Sequence, residues 1–280
     1  MPEGDTITRT ARSLDAALAG RVLVRFRAPR LGRVPPVRPG TVVTGVEAVG
    51  KHCLMHFDDG RTLRTHMRMT GSWHLYRPGE RWRRTPGAAR VVLEVAATDE
   101  REGWVAVCFS APVVELTTRS EVAVAHLGPD LCRPDADLDE AVRRFGLVDP
   151  GREVGVVLLD QTVSAGIGNV YKSEALFACG LDPFTPVGDV PAAQRRRLLG
   201  TAGRMLRANI GTIRRTTFTE GGVATGQVAV YGRAGQACRR CGTPVLRRLH
   251  REDARSSYWC PRCQVRPVAP AALGVDGEAG

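Results

Sequence analysis

The sequence predicts an α+β multidomain protein, in which an N-terminal helix and a β-sandwich precede a helical region and a small cysteine-containing module. Three observations support this prediction. A helical stripe lies near the N-terminus, short β-rich runs fill residues 21 to about 127, and such runs become scarce after residue 128. With 280 residues, of which 43% are hydrophobic, the chain can bury two cores, or one core plus a small appended module.

The first predicted element is an amphipathic helix over residues 5–20. One face carries apolar side chains at three- and four-residue spacing, namely Ile7, Ala11, Leu14 and Leu18. Pro2 suits a helix start because it lacks an N–H that would be unpaired there, and the acidic Glu3 and Asp5 suit the positive end of the helix dipole. Helix initiation alone therefore accounts for the opening residues.

The β-rich region predicts a sandwich or barrel. Its clearest strands, separated by Gly, Pro and Asp turns, are Val22–Phe26, Thr41–Val46, Cys53–Phe57, Val91–Val95 and Val105–Phe109. The sequence Asp58-Asp59-Gly60 predicts a hairpin turn. The segment 77–89, which contains four Arg, two Pro and two Gly, predicts a mobile loop.

Helices are expected after Gly128-Pro129-Asp130, over Leu138–Phe145, Glu153–Gln161, Val170–Cys179 and Ala192–Asn209. The turn 162–169 carries Gly166 and Gly168 just before the third of these helices. Such a turn can present backbone N–H groups to a phosphate, or its glycines can serve helix packing alone. We place the domain boundaries at 1–127, 128–225 and 226–267, and we expect the Ala-, Gly- and Pro-rich tail 268–280 to be disordered.

The charge of the chain favours a polyanionic partner. The formal net charge is +11, and residues 226–266 carry nine Arg against Glu252 and Asp253. An Arg-rich genome is the alternative explanation. Lys51 and Lys172 are the only lysines. Because Arg cannot lose its proton near neutral pH, Lys51 is a candidate for a role that needs a deprotonatable amine.

Four cysteines have the spacing of a zinc site: Cys238-x-x-Cys241 and Cys260-x-x-Cys263, with 18 residues between the pairs. A disulfide pair in a secreted protein is the alternative. The N-terminus lacks the basic-then-apolar pattern of a secretory signal, and no run of about 18 apolar residues is present. We therefore expect a cytoplasmic, nucleoid-associated bacterial protein with no membrane partner. The other cysteines lie among apolar neighbours and suit a hydrophobic core.

Five motifs occur in series. They are Pro2-Glu3-Gly4-Asp5-Thr6, Gly50-Lys51-His52, His66-x-x-Met69-Thr70-Gly71, Gly166-x-Gly168-Asn169-Val170-Tyr171-x-x-Glu174, and the four-cysteine motif. With them the chain resembles the formamidopyrimidine-DNA glycosylase/endonuclease VIII family over residues 1 to about 266. The opening Pro-Glu-Gly-Asp is most similar to the actinobacterial endonuclease VIII-like proteins. The resemblance implies a β-sandwich over the N-terminal helix, a helix-two-turns-helix domain and a zinc finger, with DNA in the cleft.

The resemblance also implies an activity. The family's members are bifunctional DNA glycosylases and AP lyases of base excision repair, and for this chain we expect oxidised bases, with pyrimidines favoured, and β,δ-elimination. Removal of Met1 would expose the amine of Pro2, which the resemblance makes the nucleophile on C1′. By the same match Glu3 is the general acid and base, Lys51 bridges toward the phosphate, and Arg255 binds phosphate and supports δ-elimination.

Further residues match DNA contacts of the family. Met69 matches a residue that fills the space left by the extruded base, although its apolar side chain could instead belong to the core. Arg68 lies beside it, where the resemblance does not identify the rest of the void-filling set. Asn169 and Gly168 match the loop that binds the phosphate beside the lesion. We also expect the chain to bind one structural zinc ion, to have damaged DNA as its partner and to be a monomer.

Alternatives remain at this point. Within the enzyme class, the chain could excise oxidised purines instead of pyrimidines. From other classes, it could be a damaged-DNA-binding protein with weak or no catalysis, or a zinc-ribbon protein of transcription or RNA processing. The last of these explains residues 226–266 and leaves the N-terminal motifs without a purpose.

Overall fold

The computed structural model of the chain describes residues 2–31, 34–119, 123–220, 223–252 and 255–267, with the backbone alone for residues 219, 220 and 223–226. Its helices are α1 (Gly4–Leu18), α2 (Leu138–Leu147), α3 (Val154–Val157), α4 (Asn169–Cys179) and α5 (Ala192–Ala208). Its strands are β1 (Arg21–Arg27), β2 (Val42–Val49), β3 (His52–Phe57), β4 (Thr62–His66), β5 (Ser72–Tyr76), β6 (Ala89–Val95), β7 (Trp104–Phe109), β8 (Val113–Thr117), β9 (Phe218–Glu220), β10 (Val223–Gln227), β11 (Leu246–Leu249) and β12 (Ser256–Trp259).

Strands β1 to β8 form the predicted sandwich. They make one antiparallel sheet in the order β5-β7-β6-β1-β2-β3-β4-β8, which divides at β1. The start of β1 pairs with β2, and its remainder pairs with β6. The two halves share one core with α1, to which Leu14, Met55 and Leu93 contribute, and α1 packs on β2 and β3. The amphipathic face predicted for the N-terminal helix is thus its buried face.

Segment 77–89 is mostly loop, as its composition predicts, with one short 3-10 turn over Pro86–Ala88, and its mobility stays a prediction. It crosses the outer face of β5, β7 and β6, where Trp82 packs on Tyr76 and Phe109 at ring-centroid distances of 6.3 and 5.8 Å. The Tyr76 hydroxyl accepts a hydrogen bond from the amide of Arg83 at 3.1 Å. This cover explains why β7 is apolar almost throughout: its side chains are buried on both faces.

A second core holds the helical region together. Residues from α2, α4 and α5, including Phe145, Tyr171 and Leu206, are buried in it. One predicted helix is much shorter than expected: residues 153–161 form only the single turn α3. The reason is local, because Asp160 turns the chain by accepting hydrogen bonds from the amide and the hydroxyl of Thr162 at 3.0 and 2.6 Å.

Helix α4 joins the helical region to the C-terminal module. The Glu174 carboxylate is buried and accepts hydrogen bonds from the Thr217 hydroxyl and from the amides of residues 229, 230 and 231. The Lys172 ammonium, also buried, donates to the carbonyl of Ser256 in β12 at 3.1 Å. The second lysine of the chain is therefore a structural residue.

The predicted fold class is confirmed, including the β11–β12 hairpin beside the clustered cysteines. The domain boundaries stay predictions, and the tail 268–280 lies outside the described residues. Within the described ranges, none of the helices combines the length and apolarity that a bilayer span requires.

Candidate active site and metal centre

The site is built where the N-termini of α1 and α4 meet. Glu3 precedes α1, yet its carboxylate caps α4, accepting hydrogen bonds from the amides of Gly168, Val170 and Tyr171 at 3.1, 2.8 and 3.3 Å. The amide of Gly4 donates to the carbonyl of Gly166 at 2.9 Å. Pro2, the residue before Glu3, is half-buried next to this junction.

Glycines permit this close approach. A Cβ at Gly168 would overlap the Glu3 carboxyl group, and a Cβ at Gly4 would overlap Sγ of Cys132 and lie 2.9 Å from Cα of Gly166. Gly166 also has a φ of +102°, which strains any other residue. The glycines of this turn are therefore needed for close packing, which was one of the two predicted explanations. The other explanation had the amide of Gly168 facing a phosphate, but this amide already donates to Glu3.

Burial dominates the electrostatics of Glu3. The side chain is fully buried, and the loss of hydration raises the pKa of the Glu3 carboxyl above its ordinary value of 4.5. The nearby Arg215 guanidinium, the hydrogen bonds from α4 and the Lys51 ammonium oppose this shift without cancelling it. Glu3 can therefore hold a proton at a higher pH than an exposed glutamate.

Lys51 lies in the two-residue turn between β2 and β3. Gly50 has a φ of +59° at the first position, as a type II′ turn requires. Its amide donates to the buried carboxylate of Asp130 at 2.8 Å, and a Cβ there would lie 2.9 Å from Cβ of Ala165. Asp130, which was predicted only to mark the start of the helical region, thus holds the Lys51 turn against that region.

Burial lowers the pKa of Lys51 from 10.5 to about 8. The Glu3 carboxylate opposes this shift and the Arg255 guanidinium adds to it, so both groups lie close enough to interact with the ammonium. Arg255 itself is exposed, at the start of β12. The structure thereby brings together Glu3, Lys51 and Arg255, which are far apart in sequence.

A buried ion pair fixes α1 at this site. The Arg215 guanidinium binds both carboxylate oxygens of Asp5, at 2.8 and 2.7 Å, and the Tyr171 hydroxyl donates to Asp5 at 3.0 Å. Asp5 and Tyr171 are fully buried. Asp5 was predicted only as a helix-start residue, and Arg215 was not predicted, because the sequence around it carries no local signal.

Asn169, the first residue of α4, is nearly buried beside Tyr231 of the C-terminal region. A hydrogen bond from Asn169 counteracts the burial that raises the pKa of the Tyr231 phenol. The rings of Tyr231 and Tyr258 pack edge to face with centroids 5.1 Å apart. Asn169 thus lies near Glu3, where α4 meets the C-terminal module.

Met69 is exposed, not part of the core. It lies in the turn between β4 and β5, and 75% of its surface is accessible. Arg68 beside it is also exposed and has a φ of +43°, and its amide donates to Nδ1 of His66 at 3.2 Å. The amide of Gly71 closes the turn by donating to the carbonyl of Met67 at 2.8 Å.

Two neutral histidines connect Lys51 to this turn. His52 and His66 are cross-strand partners with ring centroids 4.7 Å apart. Burial, the other imidazole and the Arg64 guanidinium lower the pKa of His52 to about 3, and burial with the Lys51 charge lowers the pKa of His66 to about 4. Both rings are therefore uncharged near pH 7. Both histidines belong to motifs of the sequence, but no role was predicted for them.

Four cysteines form the candidate metal centre. The Sγ atoms of Cys238, Cys241, Cys260 and Cys263 all lie within 4.8 Å of one another, with separations of 3.9 Å for the pair 238/263 and 3.5 Å for the pair 241/260. A tetrahedral ion with bonds of about 2.3 Å separates its thiolates by about 3.8 Å, so the set fits zinc. None of the described cysteines is in a disulfide, and the remaining four are buried.

The hairpin that carries Arg255 is anchored to the helical region. His250, which is buried, bonds Glu153 through Nδ1 at 2.6 Å and the Ser257 hydroxyl through Nε2 at 2.7 Å. A Cβ at Gly155 would lie 2.6 Å from the His250 ring. These contacts, with the Lys172 bond, hold β11 and β12 at the end of α4 where Asn169 lies.

Comparisons with known proteins agree with this architecture. The family models that match are the formamidopyrimidine-DNA glycosylase N-terminal domain, over residues 1–106, and the formamidopyrimidine-DNA glycosylase H2TH domain, over residues 127–220. A probable endonuclease 8 2 of Streptomyces coelicolor is 44% identical over 284 residues, covering 99% of this chain and 98% of that protein.

The chain belongs to the formamidopyrimidine-DNA glycosylase/endonuclease VIII family. Another member, the DNA-(apurinic or apyrimidinic site) lyase Nei2 of Mycolicibacterium smegmatis, is 39% identical over 94% of this chain and 99% of its own length. Among solved structures, a complex of Lactococcus lactis Fpg with a DNA containing N7-benzyl-Fapy-dG has a TM-score of 0.77 at 20% identity, over 95% of this chain and all of that one. The cysteine cluster lies beyond both matched domains, in a part of the chain that the full-length relatives share.

Proposed function

We propose that this family member is a bifunctional DNA glycosylase and AP lyase of base excision repair, which removes oxidised bases and cleaves the strand by β,δ-elimination. One observation carries the proposal. Pro2 directly precedes Glu3, a buried carboxyl with a raised pKa, and Glu3 interacts with Lys51, whose pKa is lowered to about 8 and which also interacts with Arg255. Paired groups with opposed pKa shifts in a shared site are typical of acid–base chemistry.

In the first step the amine of Pro2 is the nucleophile. After removal of Met1 it is an α-amino group, whose ordinary pKa of about 8 leaves a useful fraction unprotonated near neutral pH. Its nitrogen forms a bond to C1′ while the bond from C1′ to the damaged base breaks, and the proton that the amine loses goes to the departing base. Protonated Glu3 delivers its proton to the sugar oxygen as the ring opens, and the product is an iminium on C1′.

Strand cleavage follows from the iminium. Its positive charge acidifies the C2′ hydrogen, so that loss of this proton expels the 3′ phosphate, and a second elimination expels the 5′ phosphate. The Lys51 amine is suited to move protons here because it titrates near neutral pH. Arg255 and Asn169 would hold the phosphates flanking the sugar, and Met69 would fill the space left by the extruded base.

One structural zinc ion in the four-cysteine cluster would stabilise the C-terminal hairpin and so the position of Arg255. Four thiolates leave no coordination position for a catalytic water. Elemental analysis is expected to find one zinc per chain, and Cys260→Ser is expected to remove it. Zinc retained in full by that variant would contradict this ligand set.

Oxidised pyrimidines are the proposed substrates, on the ground of the Pro2-Glu3-Gly4-Asp5 opening. Excision rates on matched duplexes containing 5-hydroxyuracil or 8-oxoguanine test the preference. A faster rate on the purine lesion would reverse it. The monomeric state and the nucleoid-associated location stay predictions.

The decisive experiment is borohydride trapping on a duplex with a single abasic site, followed by mass mapping of the cross-linked residue. Lys51 offers a real competitor, since its amine is also partly unprotonated at neutral pH. We expect the cross-link at Pro2, its loss in Pro2→Gly, and its retention in Lys51→Arg. A cross-link mapped to Lys51 would reassign the nucleophile, and tight binding without any cross-link would favour a DNA-binding protein without catalysis.

Two further variants separate the roles. Glu3→Gln is nearly isosteric and removes the titratable proton, but its NH2 group replaces one of the two oxygens that accept hydrogen bonds from the amides of α4. It should chiefly slow base excision. Arg255→Ala should weaken DNA binding and δ-elimination, leaving β-elimination products. The intact mass of the purified protein verifies Met1 removal in each case. Unchanged lyase activity in Pro2→Gly, Glu3→Gln and Arg255→Ala together would refute the assignment.

A further inference from the structure

The segment 77–89 ends beside the candidate site. Strand register places the Lys51 turn, His66 and the first residue of β8 at one end of the sandwich, called here the Lys51 end. At this end the Thr70 hydroxyl donates to the carbonyl of Ser110 at 3.1 Å, and the Arg84 guanidinium donates to the carbonyl of Thr70 at 3.4 Å. The exposed Met69 therefore lies between Lys51 on one side and Arg84 on the other.

The arginines of this segment differ in their surroundings. Arg77 lies at the opposite end, in an ion pair with Glu102 and with its guanidinium 3.8 Å from the centroid of the Trp104 ring. Arg81, Arg83 and Arg84 are exposed, and residues 81–93 contain no acidic side chain. The charges of Arg84 and Arg83 add to burial in lowering the pKa of His74 on β5, so both lie close to the outer face of that strand.

The two ends of the sandwich differ in charge. The turns at the end opposite Lys51 carry both signs, because the acidic Asp58, Asp59, Asp99, Glu100 and Glu102 lie there with Arg61, Arg77 and Arg101, and two of these arginines form ion pairs with the acids. The Lys51 end carries Lys51, Arg68, Arg83 and Arg84. A polyanion is therefore attracted to the end that contains the site. Trp82 packing and the Arg83 amide bond to Tyr76 hold the arginines on the folded surface.

We propose that Arg83 and Arg84, assisted by Arg81, bind phosphates of the strand complementary to the lesion and give the enzyme a preference for duplex DNA. This inference rests on the proposed function. If Met69 fills the space of the extruded base, then Lys51 and Arg255 on one side hold the lesion strand. The arginines on the other side of Met69 then face the partner strand, which single-stranded DNA lacks.

The test compares the wild-type protein with Arg83→Gln/Arg84→Gln on an abasic-site duplex and on the same lesion strand alone. Each lost phosphate contact should reduce duplex affinity by about eightfold at 0.1 M salt and reduce the slope of log affinity against log salt by about 0.9. Single-strand affinity should not change. Because the Arg84 side chain also supports the Met69 turn, Arg83→Gln alone is measured as well. It should lose about eightfold in duplex affinity, which is half of the double variant's change in log affinity.

The matched control is Arg196→Gln/Arg197→Gln, which removes the same charge from two adjacent exposed arginines of α5. Arg197 lies near Cys179, at the end of α4 remote from Asn169. This control should bind both DNAs like wild type. An equal loss on duplex and single strand, or no loss on either, would overturn the proposal, the latter pointing to an acidic protein partner. Wild-type trapping on the same duplex reports separately on the proposed function.

Discussion

Replacing Lys51 by Met should make the protein more stable while abolishing its lyase activity. Lys51 bears its charge in a mostly dehydrated position, with a pKa lowered from 10.5 to about 8. A folded-state pKa below the unfolded one means that the unfolded chain binds more protons between these values, so wild-type stability rises with pH there. At pH 7 burial of the charged amine lowers the free energy of unfolding by at most about 3 kcal/mol. Because the side chain is partly exposed, the true cost is smaller than this bound.

Urea unfolding of wild type and Lys51→Met at pH 7 and pH 9.5 measures this effect. The variant should be more stable at pH 7 by at most about 3 kcal/mol, and this bound falls to about 1.5 kcal/mol at pH 9.5, because the wild-type amine loses its proton above pH 8. Lys172→Met is the matched control, and it should destabilise because it removes the bond to Ser256. A Lys51→Met variant that is less stable than wild type at pH 7 would refute the reasoning.

Three further predictions follow from the same contacts. Glu174→Ala should lower the free energy of unfolding by at least about 3 kcal/mol in urea titrations, because three buried amides lose their acceptor at about 1–3 kcal/mol each; a smaller loss would show that water replaces the carboxylate. Gly168→Ala should slow borohydride trapping more than tenfold, since its Cβ displaces the Glu3 carboxyl, and wild-type rates in that variant would contradict the packing argument. Base excision should decline as pH rises through the raised pKa of Glu3, where its proton is lost; a pH profile retained in Glu3→Gln would assign the titration to another group.

The local elements followed the sequence pattern closely. The apolar spacing from Ile7 to Leu18 predicted α1, and the cysteine spacing predicted a cluster that could hold a metal. One helix was predicted too long, because Asp160 turns the chain through hydrogen bonds to Thr162 and α3 ends after one turn although the apolar run continues. Contacts more distant in sequence decided how the predicted loop 77–89 packs, since Trp82 anchors it on Phe109.

The candidate site combines residues that the motifs predicted with residues that only the packed structure revealed. Glu3, Lys51, Asn169 and Arg255 were identified through motifs that resemble a family, and the structure brings them to one junction. Arg215 and Asp130 carry no such signal, because each acts through a partner more than 75 residues away. Their roles became visible only in the packed structure.

The sequence by itself determined the fold class, the family and the residue types available for chemistry, because these depend on periodicity, spacing and motif order. Only the tertiary structure decided how those residues behave. The raised pKa of Glu3 and the lowered pKa of Lys51 arise from burial, which is a property of the assembled junction and not of either motif. Likewise, the arginines of segment 77–89 gain a position beside Met69 only because Trp82 packs across the sheet.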